Sequence, residues 1–421
     1  MRIAWFTHRY YPCIGGAENF GRAMVRRFVA AGAAVDVVTS DAHDLWYFND
    51  RRRRRLDAPA ESWVDGARVR RLAVRHIPLQ RHVGRLLSCA PHWPTRCQVA
   101  AYMPIIPGLG RVRGAYDAVC AVGFPYTVFS YAALRTARAA GAPLVLIPFL
   151  HLARPGDRVH RRCTRSHQIR LLAEAQVVVV VTRLEADAVA GWGIPRDRIF
   201  TLPMAVDHAE VTGGIGNRLR NRLGIPHDRK VVGHLATLDP NKGTNDLVLA
   251  LERLNAARPA RDPIALILAG VSSPDFEEFA THFPAATRRW LIQTGPLSAE
   301  QKADFYAAID VFAMPSRTDS YGIVFLESWA NAKPVVAAEA GGVAEVVAHD
   351  RTGLLVPFGD PARLAQAIDR LLADPGKARA LGEAGHALVS HGFTWDDRFA
   401  AFSDRVRTLV ASCERPWGQA G

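Results

Sequence analysis

The sequence predicts an α/β protein of two doubly wound lobes, and three observations carry that reading. Short apolar runs alternate with helical patterns along the chain, as strands buried on both faces of a parallel sheet require. At 421 residues the chain is too long for one ordinary core and suits two lobes of roughly 200 residues each. Its first apolar strand runs into a glycine loop and then a helix, the arrangement that makes a phosphate cradle.

The first lobe should hold strands near residues 3–6, 35–39, 69–73, 118–121, 144–148 and 177–181, and the second near 231–235, 264–269, 309–314, 335–338 and 354–356. Two such sheets, facing across a cleft, form the expected fold. The boundary falls between Pro203 and Lys230, where Thr212-Gly213-Gly214-Ile215-Gly216 reads as linker.

The most informative stretch is Arg317-Thr318-Asp319-Ser320-Tyr321-Gly322-Ile323-Val324-Phe325-Leu326-Glu327. It follows a buried strand and enters a helix near Gly322, with Glu327 about one turn inside. Asp319 in the loop and Glu327 in the helix then share a crevice with the free amides of the helix start. One acid can hold sugar hydroxyls and the other ribose hydroxyls, while the amides and the helix dipole take a diphosphate. The plainer alternative makes Asp319 a helix cap and Glu327 a surface charge.

From this stretch to about Pro375 the sequence resembles the retaining nucleotide-sugar glycosyltransferases of family 4, which have the two-lobed GT-B fold of Rossmann-like domains. That family carries Glu, seven residues, Glu; here the pair is Asp319 and Glu327, the first acid one methylene shorter. Further landmarks in the family's order are Lys333-Pro334-Val335-Val336, Gly341-Gly342-Val343-Ala344-Glu345 and Thr352-Gly353-Leu354-Leu355. The resemblance implies domains at 1–205 for acceptor and 206–392 for donor, with 393–421, opening at Phe393-Thr394-Trp395, crossing back to the first.

The same resemblance assigns the remaining site residues. The loop Tyr11-Pro12-Cys13-Ile14-Gly15-Gly16-Ala17-Glu18 would approach the donor phosphates through the backbone of Gly15 and Gly16, with Glu18 compensating the helix dipole. At Val232-Gly233-His234-Leu235 and Lys242-Gly243 the family grips the diphosphate with an Arg and a Lys; Lys242 matches, and His234 stands in the arginine's place, a weaker and pH-dependent partner. The backbone of Ser320, Tyr321, Gly322, Ile323 and Val324 completes the donor set, and Leu297, in the Gly295-Pro296-Leu297 turn, lies where the base is read. His151, after an apolar strand, would stand beside the reacting sugar and stabilise an oxocarbenium-like transition state with Asp319 and Glu327. The implied reaction is retaining hexosyl transfer from a nucleoside diphosphate sugar to a glycan, lipid-linked or small-molecule hydroxyl, with no cofactor and no metal. The alternative is a degenerate transferase that binds a nucleotide sugar or anionic glycan without turnover, suggested by Asp319 and His234.

Charge is unevenly spread. Residues 1–200 carry 30 basic and 14 acidic side chains, whereas 201–421 carry 23 and 26, so the excess belongs to the presumed acceptor lobe. It includes Arg51 to Arg55, Arg68, Arg70, Arg71, Arg75, Arg81 and Arg85, a surface suited to an anionic acceptor or to peripheral association with an anionic membrane. With only five lysines in the chain, the bland reading is that surface arginine is ordinary here and the Arg51 to Arg55 run a solvated loop. Nucleic acid is not expected, since no aromatics interleave the arginines. No apolar run reaches the roughly 20 residues of a membrane span; the longest, ending near Leu134, is broken by Gly123 and Pro125. The start lacks signal-peptide character and the six cysteines (13, 89, 97, 120, 163 and 413) show no paired spacing, so a cytoplasmic location, at the inner membrane face if the basic lobe binds lipid, is expected.

Overall fold

In a computed structural model the apolar runs become two separate parallel sheets. Residues 1–87, 89–99, 104–124, 126–152, 157–259 and 262–412 are described; Pro125 and Cys413, and the side chains of Arg81, Arg85 and Cys163, lie outside that description. The first unit comprises the residues up to His151, the stretch ending at Pro203 and the chain from Trp395; the second takes the short stretch from Leu152 and the run from Met204 to Thr394.

The first sheet contains β1 (Arg2–Thr7), β2 (Ala34–Ser40), β3 (Glu61–Val64), β4 (Ala67–Leu72), β5 (Ala118–Val122), β6 (Leu144–Ile147), β7 (Val177–Val180) and β8 (Ile199–Thr201), in the order β3-β4-β2-β1-β5-β6-β7-β8. All neighbours are parallel except β3 with β4. Strand order reverses between β1 and β5, so the open crevice of this sheet lies at their carboxyl ends. Trp5 on β1 and Phe20 and Phe28 on the helix Gly16–Ala30 are fully buried or nearly so. The last helix, Trp395–Ala411, packs on them through Trp5–Phe402 (6.3 Å) and Phe28–Phe399 (5.0 Å), and Arg27 pairs with Asp396 at 2.7 Å.

The second sheet contains β9 (Val231–Leu235), β10 (Ala265–Ala269), β11 (Leu291–Gly295), β12 (Val311–Met314), β13 (Val335–Ala338) and β14 (Leu354–Val356), all parallel in the order β11-β10-β9-β12-β13-β14. Here the reversal falls between β9 and β12. Its core joins Val232, Leu247, Leu266, Phe276, Leu364 and Ile368.

Two expected roles meet packing constraints in the structure. Thr212 to Gly216 is not slack linker: Ile215 N donates to Asp304 Oδ1 at 2.7 Å, and a Cβ on Gly216 would stand 2.6 Å from the Ala307 carbonyl oxygen, so the segment is pressed onto the helix Ala299–Ala308. Gly233, expected among the donor contacts, has a packing role in the structure. It sits in mid-β9 between β10 and β12, and a Cβ there would lie 2.6 Å from Ile309 Cγ2 and 2.7 Å from Phe305 Cζ. Overpacking of that kind costs about 1–3 kcal/mol. Gly233→Ala should therefore lower the thermal midpoint measurably while donor KM stays near that of the parent; a lowered affinity at unchanged stability would restore the contact role.

Candidate active site

The carboxyl ends of β9 and β12 carry the loops that bear Lys242 and Asp319. Asp239 shapes the first loop by accepting from Asn241 N at 2.7 Å and capping the short turn Pro240–Lys242. Gly243 follows at φ 72°, a left-handed conformation, and any Cβ there would run into the Pro315 carbonyl. The loops are also tied by Arg317 N donating to Asn241 O at 2.8 Å. This close approach puts Lys242 Nζ 2.6 Å from Asp319 Oδ2, with both side chains only partly exposed. The other wall is the turn after β13. Gly342 N donates to Asp319 O at 2.9 Å, and Gly341, at φ 57°, has no room for a Cβ against the Asp319 backbone and Thr318 Oγ1.

Glu327 is not surface charge, since it is 4% exposed. Its helix, Ile323–Ala330, starts from Gly322 at φ 83°, without a side-chain cap, which removes the reading of Asp319 as cap. Lys302 and Tyr306 lie four residues apart on one face of the helix Ala299–Ala308. Lys302 Nζ donates to Glu327 Oε1 and Tyr306 OH to Oε2, each at 2.8 Å. Burial, with the Glu327 charge beside it, pushes the Tyr306 phenol well above its usual range, so it remains a donor. Each carboxylate oxygen has further lone pairs, so both stay able to accept from hydroxyls. Neither Lys302 nor Tyr306 was singled out in the sequence; the available signal was their i, i+4 spacing on the helix that follows the Leu297 turn.

Ser320, Tyr321 and Leu297 are mostly buried, Leu297 in the turn that follows β11. The first amides of the Ile323 helix lack intrahelical acceptors and, with the helix dipole, form an anion-favouring end beside Lys242 and Asp319.

His234 does not reach this surface. Its ring is fully buried, with Nδ1 2.8 Å from Ala313 O and Nε2 3.0 Å from Thr244 Oγ1. A carbonyl only accepts, so Nδ1 carries the proton and Nε2 accepts from Thr244, whose oxygen accepts in turn from Asp239 N at 3.1 Å. Neither nitrogen is left for a phosphate, which corrects the expected grip; His234 instead ties the Lys242 loop to the end of β12. Burial, against the Ala313 hydrogen bond and helped by the Lys242 charge, pushes the imidazole down from 6.5 to about 4. The folded state therefore holds this ring neutral while the unfolded chain takes up a proton. Its contribution to stability is whole above about pH 6.5 and is lost as pH falls through about 4. His234→Gln should flatten the fall of the thermal midpoint across that window; His167, also buried and pushed to about 4, leaves a residual slope.

In the first unit, Gly16 opens its helix directly after Gly15, near the carboxyl end of β1. Glu18, expected merely to offset the helix dipole, is 4% exposed and pairs with Arg9 Nη2 at 2.7 Å, with His8 Nε2 at 3.4 Å. Burial would raise its carboxyl, but Arg9 and His8 outweigh burial and hold it far below the usual carboxylate range. His151 lies past the carboxyl end of β6 and is partly exposed. Arg154 falls outside the described residues. Among the described residues no cluster of three or more His, Cys, Asp or Glu is placed to hold a metal, and no helix is long and apolar enough to cross a membrane.

Residues 15–205 match the glycosyl transferase 4-like domain and residues 217–387 the glycosyl transferases group 1 domain. A GDP-mannose-dependent alpha-(1-6)-phosphatidylinositol monomannoside mannosyltransferase of Mycolicibacterium smegmatis is 31% identical over 287 residues, 63% of this chain and 74% of that one. The chain belongs to the family 4 glycosyltransferases. A D-inositol 3-phosphate glycosyltransferase of Xylanimonas cellulosilytica is 36% identical over 263 residues, 59% of this chain, and the match spans 61% of that relative's length. The solved structure of Anabaena HepE in complex with UDP-glucose superposes with a TM-score of 0.69 at 20% identity, covering 97% of this chain and all of that one, and shows the fold to be GT-B.

Proposed function

We propose that this glycosyltransferase moves a hexosyl group from a nucleoside diphosphate sugar to an acceptor hydroxyl with retention of configuration. One observation carries the reading: Lys242, Asp319 and the start of the Glu327 helix meet at the strand-order reversal of the second sheet. Lys242 and the amides of Gly322, Ile323 and Val324 take the diphosphate. Glu327, fixed by Lys302 and Tyr306, accepts from ribose hydroxyls. Asp319 accepts from sugar hydroxyls, and the backbone near Leu297 meets the base. A nucleotide-sugar donor is supported by the UDP-glucose bound to HepE and the GDP-mannose dependence in the mycobacterial relative's name.

The acceptor hydroxyl attacks the anomeric carbon on the face from which the diphosphate departs. The carbon–oxygen bond to phosphate breaks, and a phosphate oxygen takes the hydroxyl proton. His151, past the carboxyl end of β6, is the side chain proposed to stabilise the developing oxocarbenium charge. Lysine and amides supply the positive charge, so chelators should leave the rate unchanged. The buried His234, where the family has arginine, favours the second reading, a binding subunit without turnover. Product configuration by NMR tests the proposal: an anomeric centre matching the donor supports it, and an inverted one contradicts it.

A further inference from the structure

The arginine run of the first unit is an ordered loop at the functional edge of its sheet. Arg52 N donates to Asp50 Oδ1 at 3.0 Å, Arg54 N to Asp44 Oδ2 at 3.1 Å, and His43 N to Arg54 O at 3.1 Å. Leu56 N donates to Asp41 O at 2.8 Å, and Arg55 pairs with Asp41 at 2.8 Å. These bonds fasten the loop to residues 41–44, which leave the carboxyl end of β2 beside β1. Arg9 Nη1 donates to His43 O at 3.1 Å while its other nitrogens hold Glu18, so Arg9 links this segment to the start of the Gly16 helix.

The two acids that anchor the loop are spent on internal bonds. Asp41 and Asp44 are buried, and they accept from Val74 N and Tyr47 N, each at 2.9 Å. Arg51, Arg52, Arg54 and Arg55 are exposed, and among the described residues Arg51, Arg52 and Arg54 make no ion pair. His43 reports the resulting field: burial lowers its imidazole, and the Arg54 and Arg9 charges lower it further. A merely solvated loop would not need its backbone fixed at four points, and this one is fastened to the residues that leave the carboxyl end of β2, the side of a doubly wound sheet that binds ligands.

We propose that the Arg51 to Arg55 loop binds a phosphate group carried by the acceptor. Planar guanidinium forks pair with phosphate oxygens bidentately, and several of them match a dianion better than a single carboxylate. The donor diphosphate is already matched by Lys242 and the helix amides, so the loop serves the other substrate. This rests on the reading of the chain as a transferase whose first unit takes the acceptor.

The test compares the full chain with Arg51→Gln/Arg52→Gln/Arg54→Gln, using glycerol 3-phosphate as one probe and phosphatidylcholine vesicles with or without phosphatidylglycerol as the other. The altered side chains are exposed, so the thermal midpoint should hold. If the phosphate is free, glycerol 3-phosphate binding should weaken by about tenfold. If it is a lipid headgroup, binding to phosphatidylglycerol vesicles should fall by about a hundredfold at low salt, a factor of about five for each charge removed. Equal binding by both proteins to both probes overturns the proposal. Donor turnover is measured on the same samples: turnover with no loop effect would sink the loop alone, and a loop effect without turnover would sink the transferase reading alone.

Discussion

Glu327→Gln is expected to cut transfer by about 10²- to 10³-fold while leaving the chain folded. The amide keeps the carboxylate's shape, and its oxygen can still accept from Tyr306 or Lys302, but the charge proposed to orient ribose hydroxyls is gone. Alanine is the worse probe. It would strand the Lys302 ammonium and the Tyr306 hydroxyl in a site where Glu327 is 4% exposed, and breaking such a buried pair costs about 3–5 kcal/mol. Donor turnover and the thermal midpoint, measured on both variants, separate the two effects. Glutamine should lose rate with little loss of stability, and alanine should lose both. A glutamine variant with full activity would place the ribose elsewhere.

Lys242→Met is expected to lower kcat/KM for the donor by about 10²-fold. The side chain meets Asp319 where the β9 and β12 loops come together, and His234, standing in the place of the family's arginine, turns inward to Ala313 and does not share its load. Its contact with Asp319, at 2.6 Å, makes a second demand. Residues that touch act as a unit, so Lys242→Met and Asp319→Asn should combine non-additively, the double variant falling little below the worse single one. Independent, additive losses would mean that the ion pair is incidental to the donor site.

The parts of this molecule that were legible in the sequence are those where burial forces composition. Central strands such as Val177–Val180 and Leu144–Ile147 are apolar throughout because both faces are covered. Edge strands escape that rule. Glu61–Val64 alternates between exposed and half-buried positions and leaves Trp63 74% exposed, and Leu291–Gly295 is half-buried along most of its length, so neither shows a continuous run. In the site, the spacing of Asp319 and Glu327 around Gly322 was enough to place a loop acid and a helical acid at one helix start. What spacing could not show was direction. Gly233 and His234 belong to a recognisable strand, yet one is needed for packing against Phe305 and the other turns inward to Ala313. Glu18 shows the same limit: its burial depends on Arg9, whose guanidinium folds back from the end of β1.

The most direct measurement is release of nucleoside diphosphate by the purified chain, with chelator present, from a panel of uridine, guanosine and adenosine diphosphate sugars, run in parallel with Glu327→Gln. The account predicts release from one donor and its near-complete loss in the variant. Release that the variant matches, or donor binding without release even when acceptors are supplied, would contradict it.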